Sequence, residues 1–74
     1  MSFIRSQQEL SHDYEQSKGK YVDIYVTINN TEYVIKYSDY CEFVIICYFN
    51  KNSPQSNWFA YTRKVNSDNW VKMS

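Results

Sequence analysis

Phe43-Val44-Ile45-Ile46-Cys47-Tyr48-Phe49 is the longest uninterrupted apolar run in the chain, and its reading decides the fold. The run is rich in β-branched and aromatic residues and is closed by Asn50-Lys51-Asn52-Ser53-Pro54, which marks it as a strand rather than a helix. In extended backbone Phe43, Ile45, Cys47 and Phe49 point one way and Val44, Ile46 and Tyr48 the other, so both faces are apolar. At a sheet edge such a segment would expose unpaired backbone and a sticky surface, so it belongs in the middle of a sheet.

Working upstream, residues 21–28 alternate, with Val22, Ile24, Val26 and Ile28 on one face and Tyr21, Asp23, Tyr25 and Thr27 on the other: a half-buried strand. Asn29-Asn30 supplies a two-residue turn, because asparagine tolerates the positive φ that tight hairpins require. Folding about it sets Val26 against Tyr33, Ile24 against Ile35, Val22 against Tyr37 and Tyr25 against Val34. It also brings Asp23 opposite Lys36, a charge match in the register that the turn dictates. Ser38-Asp39-Tyr40 reads as a short connection into the central strand.

The helical candidate lies within residues 1–19. Ser6-Gln7-Gln8-Glu9 has capping-box form, Leu10 and Tyr14 share a face with Phe3 and Ile4 just upstream, and Gly19 suits a helix stop. Downstream, Asn50 to Asn57 reads as an irregular loop in which Pro54 lacks a ladder donor. A strand over Trp58–Val65 turns at Asn66-Ser67-Asp68-Asn69 into Trp70-Val71-Lys72-Met73. A four-residue loop would oppose Arg63 and Lys72, so a three-residue loop with a bulge is preferred, pairing Arg63 with Val71 and Tyr61 with Met73. The expected architecture is α+β but mainly β: a single domain over residues 1–74, with an N-terminal arm or helix in 1–19 and an antiparallel meander of about five strands in 20–74. With one helix to cover one face, the sheet either curls into a small barrel or leaves its other face to another chain.

A chain of 74 residues buries only about 60% of its extendable surface and has little material to wall a pocket. Eight basic residues balance eight acidic ones, so no global field directs it to nucleic acid or membrane, although Lys51, Arg63, Lys64 and Lys72 face only Asp68 in the last third. Cys41 and Cys47 on one extended segment lie far beyond disulfide reach. With no signal-like N-terminal pattern and no long apolar span, a cytoplasmic location without membrane insertion is expected, and Asn29-Asn30-Thr31 is read as a turn rather than a glycosylation site.

No catalytic residues, metal ligands or cofactor are expected, and the chain is read as a non-enzyme. His12, the single histidine, stands beside Asp13 as a solvated helix residue, and Cys47 inside an apolar strand is a small core side chain. Cys41, Asp13, Glu15, Asp39 and Glu42 show neither metal-ligand spacing nor apolar surroundings for acid–base work, and Gly19 alone makes no phosphate loop. Ser56-Asn57-Trp58-Phe59-Ala60-Tyr61 and Trp70-Val71-Lys72-Met73 resemble the closing hairpin of ubiquitin-specific proteases. The family's catalytic histidine falls on Asn57 and its cysteine box is absent, so the resemblance implies no activity.

Tyr21, Tyr25, Tyr40, Trp58, Tyr61 and Trp70 are more large aromatics than a small core can hide, and they point to a protein-binding surface joined by Arg63, Lys64 and Lys72. The Asn/Lys/Tyr/Ile-rich composition resembles that of small phage and mobile-element accessory proteins, which implies binding and blocking of a host protein, with a homodimer as a further expectation. The alternative is nucleic-acid binding, with Trp58, Tyr61 and Trp70 stacking bases while Arg63, Lys64 and Lys72 neutralise phosphates.

Overall fold

A computed structural model describes residues 5–19, 22–53 and 59–73, together with the backbone alone at Asn57 and Trp58. One helix, α1 (Gln7–Ser17), precedes five strands: β1 (Ile24–Ile28), β2 (Thr31–Tyr40), β3 (Phe43–Asn50), β4 (Asn57–Lys64) and β5 (Val71–Met73). The strands form one antiparallel meander in sequence order, open rather than closed into a barrel. The apolar run is β3, in the middle of the sheet as its two apolar faces demand.

Local chemistry sets the ends of α1. Ser6 Oγ accepts from the Glu9 amide at 3.1 Å and Glu9 returns a carboxylate to the Ser6 amide at 2.8 Å, completing the capping box. Gly19, at φ 75°, supplies the left-handed exit. Phe3 and Ile4 lie outside the described residues.

The first hairpin has the register read from its turn: Ile24 opposes Ile35, Tyr25 opposes Val34 and Val26 opposes Tyr33. Asn29 and Asn30 sit at φ 51° and 65°, positive at both central positions as a type I′ turn requires. Asp23 meets Lys36 at 2.8 Å just before β1 begins, whereas Val22 lies outside the strand and is exposed.

Two expectations need correction. Ser38-Asp39-Tyr40 is no connection: β2 continues through Tyr40, and Cys41-Glu42 makes the turn, with Cys41 at φ 56°. Cysteine is not a residue type that advertises positive φ, so the turn carried no compositional mark. The closing hairpin takes neither register considered from its loop length. Tyr61 opposes Lys72 and Thr62 opposes Val71, one residue away from the Tyr61–Met73 pairing. Because side chains alternate, that single step turns Trp70 from the outer face into the core, where it is 1% exposed. Indole burial outweighs the short-loop preference, and α1 clamps the result. The Trp70 amide donates to Gln7 Oε1 at 2.7 Å, Gln7 Nε2 donates to the Trp70 carbonyl at 2.9 Å, and the indole N–H donates to Ser11 Oγ at 3.0 Å.

The core lies between α1 and the inner sheet face: Leu10 and Tyr14 from the helix meet Ile28, Ile35, Val44, Ile46, Tyr48, Tyr61 and Trp70. Asp13 is buried within it, gripped by Arg5 through Nε at 3.0 Å and the adjacent guanidinium nitrogen at 2.7 and 2.9 Å. The Tyr48 hydroxyl donates to the same carboxylate at 2.5 Å. Burial and this carboxylate push the Tyr48 phenol well above its ordinary range. The sequence around Asp13 suggested no apolar surroundings; the sheet supplies them across the fold.

Candidate functional site

The broadest surface that α1 leaves uncovered is the outer sheet face. The registers arrange that face in four rows running across the strands. Tyr25, Val34 and Phe49 form one row; Lys36, Cys47, Ala60 and Met73 the next; Ser38, Ile45, Thr62 and Val71 the third; Tyr40, Phe43 and Lys64 the last. Apolar side chains therefore run continuously through the grid. Tyr25, Tyr40, Phe43, Val71 and Met73 are exposed, with Tyr40 the most open of these at 68%, and Ile45, Cys47 and Phe49 are half-buried beside them. Val34 is buried on this face, in the row between Tyr25 and Phe49.

The charges sit toward the margins. Asp23 binds Lys36, and Glu32 binds Lys51 at 3.1 Å, with the Lys51 ammonium 5.5 Å from the centre of the Tyr25 ring. Lys64 is exposed at the far end, and among the described residues no carboxylate lies within ion-pair distance of it. The β3–β4 ladder shifts at Tyr48/Phe49, so that Phe59 opposes Tyr48 and Asn57 opposes Phe49, leaving Trp58 as the extra backbone residue.

The residues singled out from the sequence separate into groups. Tyr25, Tyr40 and Lys64 share the outer face. Tyr21 lies outside the described residues, as does the side chain of Trp58. Tyr61 and Trp70 are not surface aromatics: both are buried on the inner face, Tyr61 at 0% exposure. Arg63 is held between rings, its guanidinium carbon 4.9 Å from the Trp70 centroid and 5.4 Å from that of Tyr14. One of its nitrogens donates to the carbonyls of Lys64, Val65 and Ser67 at 2.8–3.2 Å, so Arg63 braces the closing loop. Lys72, on the same inner face as Tyr61, is only half-exposed. Of the hairpin expected to stack bases, Tyr61, Arg63, Trp70 and Lys72 are thus turned inward, because they share the parity of the core positions, while Lys64 stands on the outer face.

The outer-face residues missed from the sequence are Phe43, Val71 and Met73. Phe43 follows from the alternation of the central run, but Val71 and Met73 needed the register of the last hairpin.

Reactive groups do not converge. His12 is exposed on α1, which covers the inner face, while Cys47 lies on the outer face with its thiol pushed upward by burial, away from the thiolate form. Among the described residues no cluster of histidine, cysteine or carboxylate side chains could hold a metal ion. No described helix is long and apolar enough to cross a membrane. A hollow of about 200 Å³ is lined by Ser17, Val22, Asp23, Ile24, Ile35, Lys36 and Tyr37, and its charged pair, Asp23 with Lys36, is the exposed ion pair of the first hairpin. No protein-family model matches the chain, and no curated protein or solved structure is significantly similar to it.

Proposed function

We propose that this chain is a stoichiometric protein-binding module that docks through the outer face of its sheet. The observation that carries this reading is the continuous apolar path from Tyr25 through Phe49, Cys47, Ile45 and Phe43 to Tyr40, flanked by Val71 and Met73 and left open while α1 covers the opposite face. The domain measures about 33 × 32 Å across its broad face, ample for the roughly 800 Å² per partner of an ordinary protein interface. Exposed tyrosine, phenylalanine and methionine are the residue types enriched in such interfaces. The chemistry that fits is a protein surface of aliphatic and aromatic side chains bearing a carboxylate placed to meet Lys64. Binding and blocking a host protein, in the manner of the phage and mobile-element accessory proteins that the composition resembles, is the mode of action we assign to it. No chemistry on a bound molecule is required.

The test is capture of host protein by the immobilised chain, compared with Tyr40→Ala, Phe43→Ala and, as a control on the exposed side of α1, Gln16→Ala. A specific partner should bind one-to-one and lose about tenfold or more in affinity with either outer-face variant, the loss of a central interface aromatic, while Gln16→Ala leaves it unchanged. Equal binding by all four proteins would overturn the reading. So would retention that depends steeply on salt and is abolished by nuclease.

A further inference from the structure

The two edges of the sheet are unlike. The β5 edge is three residues long and includes Lys72, both ordinary protections against unwanted pairing. The β1 edge is Ile24-Tyr25-Val26-Thr27-Ile28, uncharged, without proline and without a bulge. Its core-facing side chains Ile24 and Val26 are only half-buried, although they belong to the inner face. Something that extended the sheet past β1 would finish covering them.

The hydrogen-bonding parity of this edge follows from its turn. In a two-residue hairpin the turn bond joins the flanking residues, so Ile28 and Thr31 are a hydrogen-bonded pair. Alternation makes Val26–Tyr33 and Ile24–Ile35 hydrogen-bonded pairs as well, and leaves the amide and carbonyl groups of Tyr25 and Thr27 directed outward. Among the described residues, no backbone bond meets these outward groups.

We propose that β1 pairs antiparallel with β1 of a second copy about a two-fold axis at Val26, giving a continuous ten-stranded sheet. The strand is palindromic in chemistry: about that axis Val26 meets Val26, Ile24 meets Ile28, and Tyr25 meets Thr27. Tyr25 and Thr27 are the residues whose backbone groups point out, so they form hydrogen-bonded pairs on both sides of the axis, and Val26 falls at a non-hydrogen-bonded pair. The isoleucines and valine of the two copies then make one inner-face row with no charge opposed. A net charge of zero adds no repulsion between copies. Pairing stops at two because the symmetric contact uses up both β1 edges and the remaining edges are the guarded β5 strands. The dimer leaves both outer faces open, so this inference stands apart from the docking reading above.

Cross-linking tests the register. In a Cys41→Ser, Cys47→Ser background, Val26→Cys places two thiols directly opposite, with β-carbons about 4.5–5.5 Å apart, and should yield a disulfide-linked dimer under mild oxidation. Ile24→Cys and Ile28→Cys should each fail alone, their own copies lying about 13 Å away at roughly 3.3 Å per residue, yet cross-link when mixed. In the unaltered chain, protection of the Tyr25 and Thr27 amides from hydrogen exchange should rise about tenfold per hundredfold increase in concentration above the dissociation constant, as the free-protomer fraction falls with the square root of concentration. The Ile24, Val26 and Ile28 amides should be protected at every concentration. Absence of the Val26→Cys dimer, cross-linking at all three positions alike, or concentration-independent exchange at Tyr25 and Thr27 would each overturn the proposal.

Discussion

Asp13→Ala is the substitution that most directly probes how this small domain is held together. Asp13 is 1% exposed and accepts three hydrogen bonds from Arg5 and one from Tyr48, whose side chain is itself fully buried. Removing the carboxylate leaves a guanidinium that is largely withdrawn from water and a phenol that cannot reach it. Breaking a buried ion pair from one side costs about 3–5 kcal/mol, and the partial exposure of Arg5, 13% for its side chain, places this case near the lower figure. A domain of 74 residues has roughly 4–11 kcal/mol of total stability, so a loss of about 3 kcal/mol removes a large share of it. In thermal unfolding followed by circular dichroism, that corresponds to a fall in Tm of about 12–24 °C. Tyr48→Phe removes only one hydroxyl and should cost about 1–2 kcal/mol. Because the two changes share one carboxylate, the double variant should be less destabilised than the sum of the singles. The solvated pair Asp23–Lys36 provides the contrast, since Asp23→Ala should cost no more than about 1 kcal/mol. If Asp13→Ala proved no worse than Asp23→Ala, the assignment of Asp13 as the polar anchor of the helix would be wrong.

Cys41→Gly should raise stability by about 1 kcal/mol in urea unfolding, because Cys41 holds φ 56° at the head of a two-residue turn where a Cβ is unfavourable; unchanged or lowered stability would refute that strain. The capping hydrogen bond to the Ser6 amide, assisted by Arg5, holds the Glu9 carboxyl below its ordinary value. A lowered folded-state value contributes stability that is present above the unfolded value and lost as pH falls through the folded one. Helix content should therefore decrease across the acid side of the carboxylate range. Glu9→Gln should weaken that dependence, and an identical acid profile for both proteins would count against it.

Much of this fold was readable residue by residue. The unbroken run Phe43–Phe49 demanded a central strand, and the double asparagine at 29 and 30 specified a two-residue turn. That turn in turn specified the pairing of Ile24 with Ile35 and of Asp23 with Lys36. Ser6 and Glu9 marked the start of the helix. All of these are local signals, carried by neighbours in the chain or by strands joined through a tight turn. Tyr25 could be named as a surface candidate from the alternation of residues 21–28, and Tyr40 from the surplus of aromatics over what a small core can hide; both are exposed.

What lay beyond local reading depended on contacts between distant segments. The closing loop is long enough to permit several registers, and the choice among them was made by Gln7 and Ser11, which seize Trp70 from the other end of the chain. That choice buried Trp70, set it against the Arg63 guanidinium, and placed Val71 and Met73 on the open face. Local alternation and turn chemistry dictate which strands form and how the first two pair. Which of two faces a strand shows to water is decided by whichever register buries more apolar area without orphaning polar groups, and that balance is struck only when helix and sheet meet.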